Sequence, residues 1–399
     1  MNRGRRAAVA LALLVGAVTR PGGAGAKPFV PDEIPIARVI ANVESYAAAH
    51  PKDPAGLYMV GRAHYAALYD LRGLALNAGD ATRAASLPAF FGVRYPAGAG
   101  TVSGLDVVLV AHVDASVSAL QRAVALSRPG TSALYLLTLG SVAETVAPFS
   151  TQLGAPPRIG STRPKTWRDA AARAYLRAYD LAIARDLRIT EQPLFGLATL
   201  VAYEAGDSYL RLVPNGRRRT EIRAALTRLE GKPPGPVTPL IFSLAGPRRL
   251  ADLLDPGKVV GFDLDGTGRV QQYGWLRSDT AVLVWDPDAS GSIVSGRQLF
   301  GNATWWMLWS DAYRALDALD DDRDGTLRGP ELSGLAVWRD TNQNAISEAG
   351  EVAPVASVGI VAMASRPDGR IDGVLSSSLG ILLASGARLP TYDWVATPR

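Results

Sequence analysis

Residues 320–331, which read DDDRDGTLRGPE, constrain this chain more than any other stretch of its sequence. Carboxylates stand at the first, third, fifth and twelfth positions of this segment, and glycine stands at the sixth. Ca²⁺ prefers six to eight oxygen ligands, and this spacing lets alternate side chains converge on one ion while the glycine permits a sharp turn. We predict a calcium site here, with a solvated acidic turn as the alternative. The predicted ligands are Asp320, Asp322, Asp324, the carbonyl of Thr326, and Glu331.

Three other stretches repeat parts of this spacing, and we number all four loops in chain order: first (263–274), second (286–298), third (320–331) and fourth (340–351). The fourth loop has Ala345 in the glycine position and Ser347 in the apolar eighth position, which weakens the match. We still predict a second calcium site there, paired with the third loop. Its predicted ligands are Asp340, Asn342, Asn344, the carbonyl of Ile346, and Glu351.

The first and second loops lack the closing glutamate. The second loop offers Asp286, Asp288 and Ser290, but its closing residue is the neutral Gln298, one place late. The first loop offers Asp263 and Asp265, with Gly274 where the glutamate would stand. Both loops are therefore either weak metal sites or relics.

The first loop has a competing interpretation. A strand followed by DLDGT resembles the haloacid dehalogenase family, whose first aspartate attacks phosphorus while the second acts as acid and base. That family also needs a later cation, usually lysine, and no lysine follows Asp265 in this sequence. The alternating strands and helices of a doubly wound sheet are not predicted either. We therefore predict a protein that is not an enzyme, with this phosphatase as a weak alternative.

Taken together, the four loops and the connecting motifs resemble the EF-hand or dockerin-type calcium module of secreted bacterial proteins, including parts of RTX-like proteins. The resemblance covers residues 259–363. It implies a small α+β domain, here expected over 239–399, that Ca²⁺ stabilises.

The preceding half reads as helices from Ile36 to about Leu229. Leu57, Val60, Gly61 and His64 resemble the start of a tetratricopeptide repeat, and Ala171, Tyr175 and Ala178 have the spacing of its second helix. We predict a divergent helical-repeat domain over 27–230, or else an irregular α-bundle. The predicted fold class is thus mixed: a helical repeat-like domain, a Pro/Gly linker at 231–238, and an EF-hand-like α+β domain. The three histidines are too scattered in sequence to predict a metal site or a catalytic dyad.

Charge separates the two halves. Residues 27–238 carry 24 Lys+Arg against 17 Asp+Glu, whereas residues 239–399 carry 14 against 20. An acidic second half is what cation loops require. The basic half has no Lys/Arg stripe interleaved with aromatic residues, which disfavours a nucleic-acid partner. The alternative function is an adaptor whose helical domain binds a protein or peptide partner, with the calcium loops as relics.

The chain begins with Arg3, Arg5 and Arg6, continues with an apolar run at 7–18, and then reads Ala-Gly-Ala at 24–26. This pattern is typical of a secretory signal peptide over 1–26 with cleavage near Ala26, and its apolar run is too short to span a bilayer. We expect a secreted, periplasmic or cell-surface protein without stable membrane insertion. Because the sequence contains no cysteine, core packing and metal would have to stabilise the exported chain.

The apolar spacing of residues 304–319 predicts a helix that leads into the third loop. Trp305, Trp306 and Trp309 lie within it, and they could form a sugar-binding platform. Core packing is the interpretation that we favour.

Overall fold

The structure is a computed structural model that describes residues 34–70, 107–188, 198–230 and 235–399. The predicted signal peptide at 1–26 and the beginning of the predicted linker lie outside the described residues.

Helices make up the described part of the first half, as predicted. Gly61 on the second helix allows the third helix to approach closely, because a Cβ at Gly61 would lie 2.5 Å from Leu120. Tyr175 is fully buried against Gly140, so it fills the space between the fourth and fifth helices as expected. The likeness to a tetratricopeptide repeat stays a prediction. The helices are α1 (Ile36–Ala49), α2 (Pro54–Asp70), α3 (Val107–Leu126), α4 (Pro129–Val146), α5 (Trp167–Arg188), α6 (Ala198–Leu212), α7 (Arg219–Glu230) and, in the second half, α8 (Ala312–Asp317).

Two helical stretches, Val107–Leu126 and Thr131–Gln152, are long and apolar enough to cross a membrane by length and composition. The apolar window of Thr131–Gln152 is 72% buried inside the protein, as in a core helix.

The second half is a curled antiparallel sheet of nine strands, so the prediction of a small EF-hand-like α+β domain is wrong. The strands are β1 (Leu240–Ser243), β2 (Leu254–Phe262), β3 (Gln271–Leu276), β4 (Thr280–Trp285), β5 (Thr326–Arg328), β6 (Leu335–Trp338), β7 (Val352–Pro354), β8 (Ile360–Ala364), β9 (Gly369–Ile371), β10 (Val374–Leu383) and β11 (Arg388–Asp393). The order of the sheet is β5-β8-β10-β11-β1-β4-β6-β7, with β9 paired to β10, while β2 and β3 form a separate hairpin. The strand predicted directly before DLDGT is confirmed as the end of β2.

Only the last part of the predicted helix at 304–319 is α-helical. Trp305, Trp306 and Leu308 adopt positive φ angles of 53°, 55° and 59°, a left-handed conformation that an α-helix cannot contain. The helix α8 therefore begins only after Asp311, whose side chain accepts a hydrogen bond from the Arg314 amide. All three tryptophans of this stretch are buried, which confirms core packing.

The helical half and the sheet share one hydrophobic core. Along β1, Leu240 and Phe242 belong to the cluster that includes the helices, whereas Ile241 belongs to the cluster on the hairpin side. Alternate residues of a strand point to opposite faces of the sheet. The helices therefore cover one face and the β2–β3 hairpin covers the other.

Candidate metal centre

The third loop follows α8 and contains β5. Leu316 on α8 and Leu327 on β5 are fully buried, so the core fixes both ends of the acidic segment. Leu327 pairs with Met363 of β8, and the amide of Ser365 donates to the carbonyl of Gly325. The loop is thus built onto the edge of the sheet.

Asp320, Asp322 and Asp324 each place one carboxylate oxygen within 4.8 Å of the others. Asp320 is 0% exposed, and its Oδ2 accepts hydrogen bonds from the Gly325 amide at 2.9 Å and from the Ser365 hydroxyl at 2.8 Å. Its Oδ1 is buried without a hydrogen-bond partner. A buried carboxylate oxygen that lacks a partner is costly, and a bound cation would remove that cost. This aspartate triplet could therefore hold a metal ion.

Glu331 closes the loop in the position that the sequence predicts. Its Oε1 accepts from the Asp321 amide at 2.6 Å, and its Oε2 accepts from the Arg328 amide at 2.9 Å. The bond to Asp321 holds the carboxylate of Glu331, the last residue of the loop, against the backbone at the start of the loop. All the predicted side-chain ligand atoms are hard oxygens, which suit Ca²⁺ or Mg²⁺ rather than a transition metal.

The fourth loop repeats the hydrogen bonds of the third. Asp340 accepts from the Ala345 amide at 2.7 Å, as Asp320 does from Gly325, and Glu351 accepts from the Thr341 amide at 2.8 Å, as Glu331 does from Asp321. Ala345 has a φ of 58° and so takes the left-handed conformation that the glycine has in the third loop. The sixth residue of the fourth loop is therefore left-handed although it is alanine rather than glycine.

The remaining predicted ligands of the fourth loop are also gathered together. The side-chain NH2 groups of Asn342 and Asn344 donate to Glu348 at 2.8 Å and 3.3 Å. The side-chain carbonyl oxygens of both residues are therefore left to interact with other groups. Burial opposes the ionisation of Glu351, but hydrogen bonds from Thr341 and Glu348 outweigh it and lower the pKa of this carboxyl. Glu351 is thus held as a carboxylate, the form that a metal requires.

A hydrogen bond joins the fourth loop to the second, not to the third. The amide of Ile293, eighth residue of the second loop, donates to the hydroxyl of Ser347, eighth residue of the fourth, at 2.8 Å. The eighth residue of the third loop pairs with β8 instead. The predicted pairing of the third and fourth loops is corrected in this respect.

The second loop satisfies its own polar groups. Asp286 accepts from the amide and hydroxyl of Ser290 at 2.9 Å and 2.8 Å. Gln298 accepts from the Val294 amide and donates to the Ser292 carbonyl, both at 2.8 Å. The predicted closing ligand therefore braces the loop, while Asp288 is exposed.

The first loop is a buried carboxylate pair. Burial and the neighbouring Asp265 carboxylate raise the pKa of Asp263 to about 6. Asp263 accepts from the Gly268 amide, and Asp265 accepts from Thr267 and Gln271. Because the sheet of this half is antiparallel, the doubly wound frame of the phosphatase alternative is absent from the described residues.

Several residues near the loops escaped the sequence analysis. Ser365 reaches Asp320 from the end of β8, and the Trp275 indole reaches Asp340 from β3. Arg314, Arg323 and Arg366 all form ion pairs with the buried Asp317 just before the third loop. Ser365, Trp275 and Arg366 make their contacts from distant segments, which no local pattern predicts, whereas Arg314 and Arg323 lie within six residues of Asp317.

The structure also joins two histidines that the sequence separates. The Nδ1 atoms of His64 on α2 and His112 on α3 lie 2.7 Å apart, and Nε2 of His64 lies 2.9 Å from the Glu44 carboxylate. Two of the three histidines therefore lie side by side, although their spacing in the sequence predicted no shared site.

Two comparisons with known proteins match part of this chain. A family model, the SPM domain, matches residues 252–371, which include all four loops and lie beyond the helical half. The chain is also 35% identical over 104 residues to the iron-regulated protein FrpA of Neisseria meningitidis serogroup C. That alignment covers 25% of this chain and 9% of FrpA, so the chain matches a small part of that relative's length.

Proposed function

We propose that the second half of this chain binds Ca²⁺ in the third and fourth loops, and that the bound ions stabilise the curled sheet of an exported, non-catalytic protein. The observation that carries this proposal is Oδ1 of Asp320, a buried oxygen of the aspartate triplet that has no hydrogen-bond partner. The identical hydrogen bonds of the fourth loop extend the proposal to Asp340 and Glu351.

The ligand set favours Ca²⁺ over Mg²⁺. Each loop offers carboxylate or amide oxygens at its first, third and fifth positions, a backbone carbonyl at the seventh, and a carboxylate at the twelfth. A glutamate that binds through both oxygens brings this set to six. Ca²⁺ accepts six to eight protein ligands, whereas Mg²⁺ keeps several waters and seldom takes an all-protein shell.

Stabilisation follows from what each loop joins. The third loop follows α8, contains β5 and contacts Ser365 after β8, while the fourth connects β6 and β7 and contacts Trp275 on β3. An ion that binds only the folded chain adds about 2.7 kcal/mol at a concentration 100 times its Kd. Extracellular calcium modules bind at about 10⁻⁴ to 10⁻³ M, so millimolar Ca²⁺ stabilises less than that.

Thermal unfolding of the full chain tests the proposal. We expect Ca²⁺ at about 5 mM, well above typical extracellular dissociation constants, to raise the Tm relative to EDTA. The Asp320→Asn and Asp340→Asn variants should each lose part of that gain, while Asp114→Asn, an exposed aspartate on α3, should keep it. A Tm that does not respond to Ca²⁺ in the wild type would overturn the proposal.

A further inference from the structure

The first helix of the chain contacts the third loop directly. Arg38 and Asn42 stand one turn apart on α1 and therefore lie on the same face of that helix. The guanidinium Nε of Arg38 donates to Oδ1 of Asp321 at 2.7 Å, and the Asn42 amide donates to the same oxygen at 2.8 Å. Asp321 is the second residue of the third loop, next to the predicted ligand Asp320.

The same two side chains also bind the backbone at both ends of the loop. Arg38 donates to the carbonyl of Leu319, which precedes the loop, and to the carbonyl of Glu331, which ends it, at 3.3 Å in the second case. Asn42 donates to the Ala318 carbonyl at 3.0 Å. Helix α1 thus bridges the entry and the exit of the predicted calcium site.

A hydrogen bond inside the loop connects this bridge to a predicted ligand. Asp321 receives Arg38 and Asn42 through its side chain, and its amide donates to Oε1 of Glu331 at 2.6 Å. If the Glu331 carboxylate moves when an ion binds, Asp321 moves with it, and Asp321 is the residue that α1 contacts.

The contact continues along α1. Tyr46 stacks on the guanidinium of Arg314 from α8, whose Cζ lies 3.6 Å from the ring centroid, and the Tyr46 hydroxyl donates to Asp53 at 3.1 Å. Arg314 also lies 3.8 Å from Asp53. The helical half is thereby attached to the helix that enters the third loop as well as to the loop.

We infer that calcium occupancy of the third loop and docking of α1 are coupled, so that the loop transmits its bound state to the helical half. This inference rests on the proposed function and adds a regulatory consequence to it. Coupling between two sites is reciprocal: if Ca²⁺ strengthens docking by some factor, docking strengthens Ca²⁺ binding by the same factor.

Two variants of the full chain measure the coupling. Asn42→Ala removes hydrogen bonds to Asp321 and Ala318 without changing charge, and Asn215→Ala, an exposed asparagine between α6 and α7, is its control. We expect Asn42→Ala to weaken Ca²⁺ binding at the third loop about fivefold, the low end of typical coupling factors, in a calorimetric titration. Hydrogen–deuterium exchange should show the α1 amides protected by Ca²⁺ in the wild type and less so in Asn42→Ala.

Arg38→Gln gives an independent check because its electrostatic effect has the opposite sign. Removing a cation near a Ca²⁺ site raises the affinity by Coulomb's law alone, so a fall in affinity identifies lost docking. The control is Arg177→Gln, an exposed arginine on α5.

The outcomes separate this inference from the proposed function. If the wild type binds Ca²⁺ while α1 exchange ignores the ion and both variants bind as tightly as their controls, the coupling is overturned and the calcium site stands. If the wild type binds no Ca²⁺, the proposed function is overturned and the coupling with it.

Discussion

The indole Nε1 of Trp275 donates a 2.5 Å hydrogen bond to Oδ2 of Asp340. The bond joins β3 of the hairpin to the first residue of the fourth loop, and Gln343 of the same loop donates to the carbonyl of Leu276 at 2.7 Å. The hairpin that covers one face of the sheet is thus attached to a predicted calcium site. An outer partner of this kind orients a ligand before the metal binds.

Replacing Trp275 by phenylalanine should weaken Ca²⁺ binding at the fourth loop. The change removes the only side-chain donor that the structure gives Oδ2 of Asp340 and keeps an aromatic ring in the core. Loss of such a partner typically lowers metal affinity about 10- to 100-fold. Calorimetry of Trp275→Phe would measure the effect. The control is Trp394→Phe, because Trp394 packs against Trp275 in the same cluster. Equal affinities in the two variants would contradict the prediction.

Ser365→Ala should act on the third loop alone. The Ser365 hydroxyl is fully buried and donates to Oδ2 of Asp320, so its removal costs the folded protein about 1 kcal/mol and leaves a ligand less well oriented. We expect weaker Ca²⁺ binding at the third loop and unchanged binding at the fourth. Ser376→Ala, a buried serine on β10, controls for the loss of a hydroxyl from the core. Equal weakening at both loops would argue against a specific role.

The second loop should contribute no calcium site. It has no closing carboxylate, and the neutral Gln298 holds the backbone on both sides. Asp286→Asn should therefore leave the number of bound Ca²⁺ ions unchanged. Gln298→Glu should lower the Tm rather than create a site, because the carboxylate cannot donate to the Ser292 carbonyl. A gain of one bound ion in Gln298→Glu would contradict this interpretation.

Glu204 on α6 predicts a pH dependence of stability. Burial and the neighbouring Asp207 raise the pKa of this carboxyl to about 7, whereas its ordinary value is 4.5. The folded state therefore holds a proton that the unfolded state has lost, so the contribution is present below about pH 4.5 and disappears as the pH rises through 7. Glu204→Gln should melt at a higher temperature than the wild type at pH 8 and at nearly the same temperature at pH 4. A constant difference in Tm between Glu204→Gln and the wild type at both pH values would refute the assignment.

The parts of the site that the sequence predicted are local. Asp320 bonds to Gly325 and Glu331 bonds to Asp321, so both partners lie inside the same loop. Ser365 and Trp275 are 45 and 65 residues away from the aspartates that they contact, and only the folded sheet brings them there. The sequence pattern also suggested that Ala345 weakens the fourth loop. The energetic cost of a left-handed alanine is small enough, however, for the surrounding loop to impose this conformation.

The fold was harder to predict for the same reason. Strand β1 pairs with β11, so that Leu240 lies opposite Asp393, across most of the second half of the chain. No spacing rule connects residues so far apart, and short apolar runs fit either a strand or a helix. The predicted helix at 304–319 shows the ambiguity: its apolar residues are buried as expected, but through left-handed turns at Trp305 and Trp306 that fit them under the sheet.

The most direct test of the central claim is a calorimetric titration that counts the Ca²⁺ ions bound by the full chain and by Asp320→Asn. We predict two bound ions for the wild type, one in the third loop and one in the fourth, and one bound ion for Asp320→Asn, with the fourth site still filled. A wild type that binds none, or an Asp320→Asn variant that still binds two, would contradict it.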